Sequence, residues 1–212
     1  MSVEALRALL DQVRRTEAAG DRIAAHRLLD RAPLELRRFG SFHYARGALA
    51  FRLGDVTRAV EAFEQAVQLE PLVAEFHANL GAALFERARR TGGLEPRGEN
   101  APLHADLLRA EAALQRAAEL TPKLSSVFNN LGLVRCELGQ WTDALDAFDR
   151  ALSLNPRDVH ALYNRAAALS QLNRHEESLT TLEAILEIDP SFGPARASRK
   201  STLERLERQR RA

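Results

Sequence analysis

Asparagine recurs at one place of a 34-residue frame: Asn79, Asn130 and Asn164 each stand sixth in their stretch. A carboxamide donates and accepts hydrogen bonds, so a row of them can hold the backbone of an extended segment. Asparagine is a mediocre helix former, so helix stability alone does not call for it. Tyr44, Asn129 and Tyr163 hold the fifth place, and Ser41, Ser126 and His160 the second. His160 and Asn164 form an i,i+4 pair, suited to one shared contact surface.

The other reactive side chains form no catalytic or metal signature. His43 and His77 share the fourth place of adjacent stretches. That place packs against a second helix, and no third ligand accompanies them. They are expected at the edge of a core. Cys136 is the single cysteine, with Arg135 beside it; it reads as a small packing residue and permits no internal disulfide. There is no glycine-rich phosphate loop, no nucleophile elbow and no acid–base pair in a defined context. The expectation is no catalytic residue, no metal and no cofactor.

The frame shows most clearly in residues 125–158 and 159–192, which align without a gap. Phe128 falls over Leu162, Asn130 over Asn164, Ala144 over Ser178, Phe148 over Leu182 and Pro156 over Pro190. A period of this length signals a stacked array rather than a closed domain. Residues 40–73 continue it, with Gly47, Gly54, Ala59, Phe63, Ala66 and Pro71 in the key places. Residues 6–39 match weakly, and Ser2 to Ala19 and Asp21 to Ala32 read as a degenerate first helix pair around Gly20. Terminal units are atypical because one face meets water.

Within each stretch, apolar residues recur at three- and four-residue steps, the mark of amphipathic helices. In residues 125–158 the helices are expected over Val127 to Leu138 and Thr142 to Leu154, with Gly139 ending the first and Pro156 stopping the second. Gly132 and Ala144 are expected where the paired helices approach most closely, with Phe148 filling the space between. The stretch from 74 to 124 is broken. Pro71 and Pro122 lie 51 residues apart, one frame and a further 17. The surplus falls near Arg90 to Asp106, where Gly92, Gly93, Pro96, Gly98 and Pro102 predict a loop. After Pro190, residues 193–212 form a last helix with seven Arg or Lys against two Glu, expected as a solvating cap.

Composition agrees with a folded, helix-rich chain. Of 212 residues 45% are apolar, 28% charged and only 6% aromatic. The net charge is +1, so no global field calls for nucleic acid or an anionic membrane. Almost all the positive charge is arginine, with Lys123 and Lys200 the only lysines, a habit of GC-rich genomes. The start carries Glu4 and Asp11 and no long apolar core, which argues against a signal peptide. No run approaches the ~18 apolar residues of a membrane span.

The pattern resembles the tetratricopeptide repeat (TPR) family. In residues 125–158 the matching places are Phe128, Leu131-Gly132, Arg135, Ala144, Phe148, Ala151 and Pro156. In residues 40–73 they are His43, Arg46-Gly47, Ala50, Ala59, Phe63, Ala66 and Pro71. The resemblance is strong from Gly40 to Phe192 and loose from Leu6 to Phe39. It implies an all-α, right-handed α-solenoid of helix pairs with a C-terminal capping helix, whose first helices line a concave groove. In that family the sixth place faces the groove. The asparagine row resembles those that hold peptide backbones in the helical region of O-linked N-acetylglucosamine transferases and in chaperone-tail-binding members. A carboxylate clamp is not expected, because the second place lacks Lys or Arg and Asn164 stands where an Arg would be wanted.

These readings predict one solenoid, with a degenerate repeat at 6–39, repeats at 40–73, 74–124, 125–158 and 159–192, and a cap at 193–212. The expected function is a cytoplasmic, non-enzymatic scaffold or adaptor that binds a protein or peptide segment in the groove. Asn79, Asn130 and Asn164 would orient the partner's backbone, and Tyr44, Asn129, Tyr163 and His160 would add contacts. The alternative is a self-assembling structural protein, or a regulatory or chaperone-like subunit of a larger secretion or enzyme complex. Nucleic acid is not expected as a partner; homo-oligomers are open.

Overall fold

The first helix of each regular pair ends where the chain turns left-handed. Gly20, Gly54, Gly139 and Asn173 have φ of 88°, 84°, 76° and 58°. The amide beyond each reaches back into the helix. Asp55 N donates to Ala50 O at 2.9 Å, Gln140 N to Arg135 O at 2.9 Å, and Arg174 N to Leu169 O at 2.9 Å. This closes the helix in the Schellman manner, which favours glycine at the turn. The second helix then starts at once. Asp21 accepts from Ala24 N at 2.8 Å and Asp55 from Arg58 N at 3.1 Å, each capping orphan amides.

The computed structural model describes residues 2–91 and 102–211. The chain divides into two compact units, Met1–Thr121 and Pro122–Ala212. In the first unit, α1 (Ser2–Ala18) pairs with α2 (Arg22–Asp30). A 3-10 turn (Leu34–Arg38) leads to α3 (Gly40–Arg52) and α4 (Val56–Leu69). Next come α5 (Ala74–Thr91) and α6 (Pro102–Leu120). The second unit holds α7 (Ser125–Glu137), α8 (Trp141–Leu154), α9 (Val159–Gln171), α10 (His175–Ile188) and α11 (Gly193–Arg211). No strand occurs among the described residues. The α8 helix begins at Trp141, one residue before the expected start at Thr142.

A seam of one small and one large residue joins the two helices of each regular pair. A Cβ on Gly47 would lie 2.7 Å from the Phe63 ring, and one on Gly81 would lie 2.6 Å from Leu114. At Gly132 it would meet Phe148 closer still. In the last pair Ala166 and Leu182 belong to one buried cluster. Phe63 and Phe148 are fully buried, and each such burial is worth ~1.5–3 kcal/mol. The expected close approach at Gly132 is therefore present. The degenerate front has its own core, in which Leu6, Val13, Ala25 and Leu29 meet Leu36, Phe42 and Leu49.

The surplus of the broken stretch is not all loop. Arg90 and Thr91 close α5, and Pro102 to Asp106 open α6. These helices have 18 and 19 residues, against 13 and 14 for α3 and α4. The glycines and Pro96 of the predicted loop lie outside the described residues. The helical extension has its own reason. Asp106 is buried and accepts two bonds of 2.6 Å from Arg87, whose side chain is 23% exposed. Arg109 also reaches Asp106 at 3.5 Å and pairs with Glu64 on α4. Paired charges of this kind fix the two extended helices beyond the length that apolar packing supplies.

In the second unit, α11 buries Ala195, Thr202 and Leu206 and exposes Arg196, Arg199, Lys200 and Arg208. Its inner face is short of apolar groups and its outer face is charged.

Candidate functional site

Polar rungs join α3 to α5, α7 to α9 and α9 to α11, each across 35 residues. The Tyr44 hydroxyl stands 3.5 Å from Asn79 Nδ2, which donates to it. Asn164 Nδ2 donates to Asn129 Oδ1 at 3.0 Å. Tyr163 and Ser198 hydroxyls meet at 3.3 Å. Each rung links a fifth place to the sixth place of the following stretch. Helical repetition puts these places side by side, because one frame advances the chain by one stacked helix pair.

The rungs decide what each predicted residue can offer. Asn79 Nδ2 also donates to Glu75 O, one turn back in its own helix, at 2.8 Å. The amide nitrogens of Asn79 and Asn164 are thus engaged within the chain. Asn130 is half-buried and makes no side-chain hydrogen bond among the described residues. Tyr44 stacks on Phe76, with ring centroids 5.1 Å apart, and its hydroxyl donates to Glu75 Oε1 at 2.6 Å. Burial and that carboxylate push the phenol's pKa well above its ordinary value. Tyr44 is therefore a fixed donor in the wall. Tyr163 and exposed His160 both pack edge-on against Phe192, at 5.7 and 5.8 Å. Asn79 and Tyr44 belong to the first unit, and Asn129, Asn130, His160, Tyr163 and Asn164 to the second.

The histidines expected at the core edge are there. His43 Nε2 lies 2.7 Å from Arg37 O and His77 Nε2 lies 2.9 Å from Pro71 O. Each ties its helix to the segment before it. Burial lowers the pKa of His43, with the nearby arginines adding to the fall and the Arg37 carbonyl opposing it. No cluster of three or more metal-ligating side chains occurs among the described residues. Cys136 is half-buried against the Ala144–Leu169 cluster, and burial pushes its thiol up to about 11.

A concavity of about 660 Å³ runs between α1 and α3 in the first unit. Leu10, Val13, Ala45, Ala48 and Phe76 floor it, and Ser41 and Tyr44 stand in its wall. Arg52 donates to both oxygens of Glu17 across it, at 2.8 and 2.7 Å. Arg14 and Arg22 stand on the same rim. Ser41 and Tyr44 stand out in the sequence; Leu10, Ala45 and the rim arginines do not. A signal exists at Ala45, which takes the sixth place where asparagine stands in the three following stretches. A smaller cavity of about 190 Å³ lies between α9 and α11, lined by Tyr163, Ser170, Ser198 and Arg205.

Helix pairs repeating at this spacing, joined by small–large seams and by rungs between first helices, define an α-solenoid of helix-hairpin repeats. A family profile described as tetratricopeptide repeat matches residues 129–191, and a second one matches residues 40–72. Residues 40–72 and 129–191 are thus tetratricopeptide repeats. Solved structures share its fold. YrrB, described as a TPR protein with an unusual peptide-binding site, aligns with a TM-score of 0.73 at 18% identity, over 91% of this chain and 90% of its own. MamA from Desulfovibrio magneticus RS-1 gives a TM-score of 0.76 at 17% identity, over 91% and 99%. A thermophilic TPR protein of Thermus thermophilus gives 0.67 at 22% identity, over 93% and 98%. At these identities the likeness concerns the fold. No curated protein matches the sequence. No helix among the described residues is long and apolar enough to cross a membrane.

Proposed function

We propose that this chain is a protein-interaction scaffold that holds a partner's peptide segment on the faces of its first helices. The observation that carries the reading is the polar equipment of those faces. Asn130 keeps a whole carboxamide without a partner among the described residues, while Asn79 uses both N–H groups of its amide and Asn164 one of two, and both keep their carbonyl oxygens. Such groups match the N–H and C=O of an extended backbone. Tyr44, Asn129, Tyr163 and His160 flank them and supply side-chain contacts. YrrB, of like fold, is described as having a peptide-binding site. The role is non-catalytic, with a protein rather than a nucleic acid as partner, in keeping with a net charge of +1. A bacterial cytoplasmic setting suits the arginine-rich composition and a fold with one cysteine.

The test begins with the immobilised full chain and an extract of its own cells. The captured protein is identified, purified and titrated by calorimetry against the wild type and Asn130→Ala. The expected result is a several-fold loss of affinity for Asn130→Ala with an unchanged Tm, since that side chain bonds nothing among the described residues. Equal affinity for both proteins refutes the role given to these faces.

A further inference from the structure

The first pair of fifth and sixth places differs from the three polar rungs. Leu10 and Ala45 hold the same two places, 35 residues apart, that Tyr44 and Asn79, Asn129 and Asn164, and Tyr163 and Ser198 hold elsewhere. Where the others make a polar bridge, this pair is apolar and cannot bridge. Both residues line the cleft between α1 and α3, and both pack on the core of the degenerate front. Ala48 and Phe76 extend the apolar floor. The cleft opens where the stapling chemistry is missing.

Charge around the cleft is uneven, with three guanidinium groups, Arg14, Arg22 and Arg52, against two carboxylates, Glu17 and Glu75. Glu17 is neutralised by Arg52, with its side chain only 16% exposed. Glu75, on the α5 side of the cleft, keeps its negative charge while it accepts from the Tyr44 hydroxyl. Arg14 pairs with Asp11 at 3.3 Å, in a pair more than half exposed on both sides, which holds it weakly. Arg22 pairs with no carboxylate among the described residues and stands on the rim. An apolar floor is therefore bordered by two guanidinium groups available to an anion.

Resting on the scaffold reading above, we propose that the α1–α3 cleft is the site of partner selection. It takes a peptide segment in which an apolar side chain is flanked by Asp or Glu. The apolar side chain fills the space over Leu10, Ala45 and Phe76, and the carboxylate meets Arg22 and Arg14. Planar guanidinium groups suit carboxylates through paired N–H donors.

The full chain is panned against a library of random dodecapeptides, and selected sequences are synthesised and titrated by fluorescence anisotropy. The expected consensus has Leu, Ile, Met or Phe with an acidic residue within three positions. Arg22→Glu is expected to weaken these peptides at least tenfold. The double variant Leu10→Tyr/Ala45→Asn, which installs the rung found at Tyr44 and Asn79, is expected to close the cleft and abolish binding while circular dichroism and Tm stay at or above wild type. A consensus without acidic residues overturns the inference. So does binding that survives the double variant. If the selected peptides ignore both cleft variants yet weaken with Asn130→Ala, the cleft proposal fails and the scaffold reading stands. If they respond to neither set of changes, or no peptide is selected, both fail.

Discussion

Gly132→Ala tests the packing rule that builds every helix pair. The new methyl group would meet the Phe148 ring at less than contact distance. Phe148 is fully buried, so it cannot swing out to make room. Overpacking of this kind costs ~1–3 kcal/mol. The second unit spans Pro122–Ala212, and for a unit of that size a loss of ~2 kcal/mol lowers Tm by roughly 8–16 °C. Trp141, the only tryptophan, starts α8 and reports this unit by fluorescence in a urea titration of the full chain. The same protein supplies the control. In its last pair Ala166 faces Leu182 in place of glycine and phenylalanine. Phe148→Leu alone should cost about 1 kcal/mol through the space it leaves. The double variant Gly132→Ala/Phe148→Leu then reproduces the Ala166–Leu182 seam, and its loss should be well below the sum of the two single losses. Additive losses would show that the two side chains do not compete for one space, and the seam argument would be wrong.

Two further outcomes follow from the first unit. Asp106→Ala strands the Arg87 guanidinium in a half-buried place, so a loss of ~1.5–3 kcal/mol is expected, read as an earlier unfolding of the unit by circular dichroism in urea; an unchanged midpoint would mean that the ion pair does not hold the extended helices. His43 has a folded pKa below its ordinary 6.5, so its contribution is intact above that pH and is lost as pH falls through it toward the folded value; Tm measured from pH 7.5 to 5 should fall less for His43→Leu than for the wild type.

The helix pairs are legible in the sequence because their determinants are local. Gly54 and Gly139 mark left-handed turns that L side chains rarely adopt, and Gly47 and Gly132 mark contacts with a ring sixteen residues on. The surplus near Arg90 to Asp106 is legible in place but not in extent. Glycine and proline announce a break, while the helical tendency of its flanks and the Arg87–Asp106 pair carry α5 and α6 into it. That pair spans 19 residues across the break, and no periodic pattern signals it. The asparagine row is legible as a row. Its bonding is not, because the partner of a sixth place is the fifth place of the preceding stretch. Only the stacked arrangement shows that Asn164 answers to Asn129 and Asn79 to Tyr44.

That pairing changes what the row is for. A residue engaged with its neighbouring repeat stabilises the stack and has less to offer a partner; one without such a bond has more. Asn164 and Asn79 carry both duties, since the nitrogen holds the rung while the oxygen remains. Asn130 carries the second duty alone. At Leu10 and Ala45 the rung is given up, and the result is an apolar opening of about 660 Å³ with Arg14 and Arg22 on its rim. The frame itself is secured elsewhere, in the glycine–phenylalanine seams between first and second helices. Because the closest contacts of those seams fall at other places, Gly47 on Phe63 and Gly132 on Phe148, the fifth and sixth places can alternate between stapling and recognition while the seam contacts remain. Recognition then belongs where the staple is weakest, which in the described residues is the first-unit cleft and Asn130.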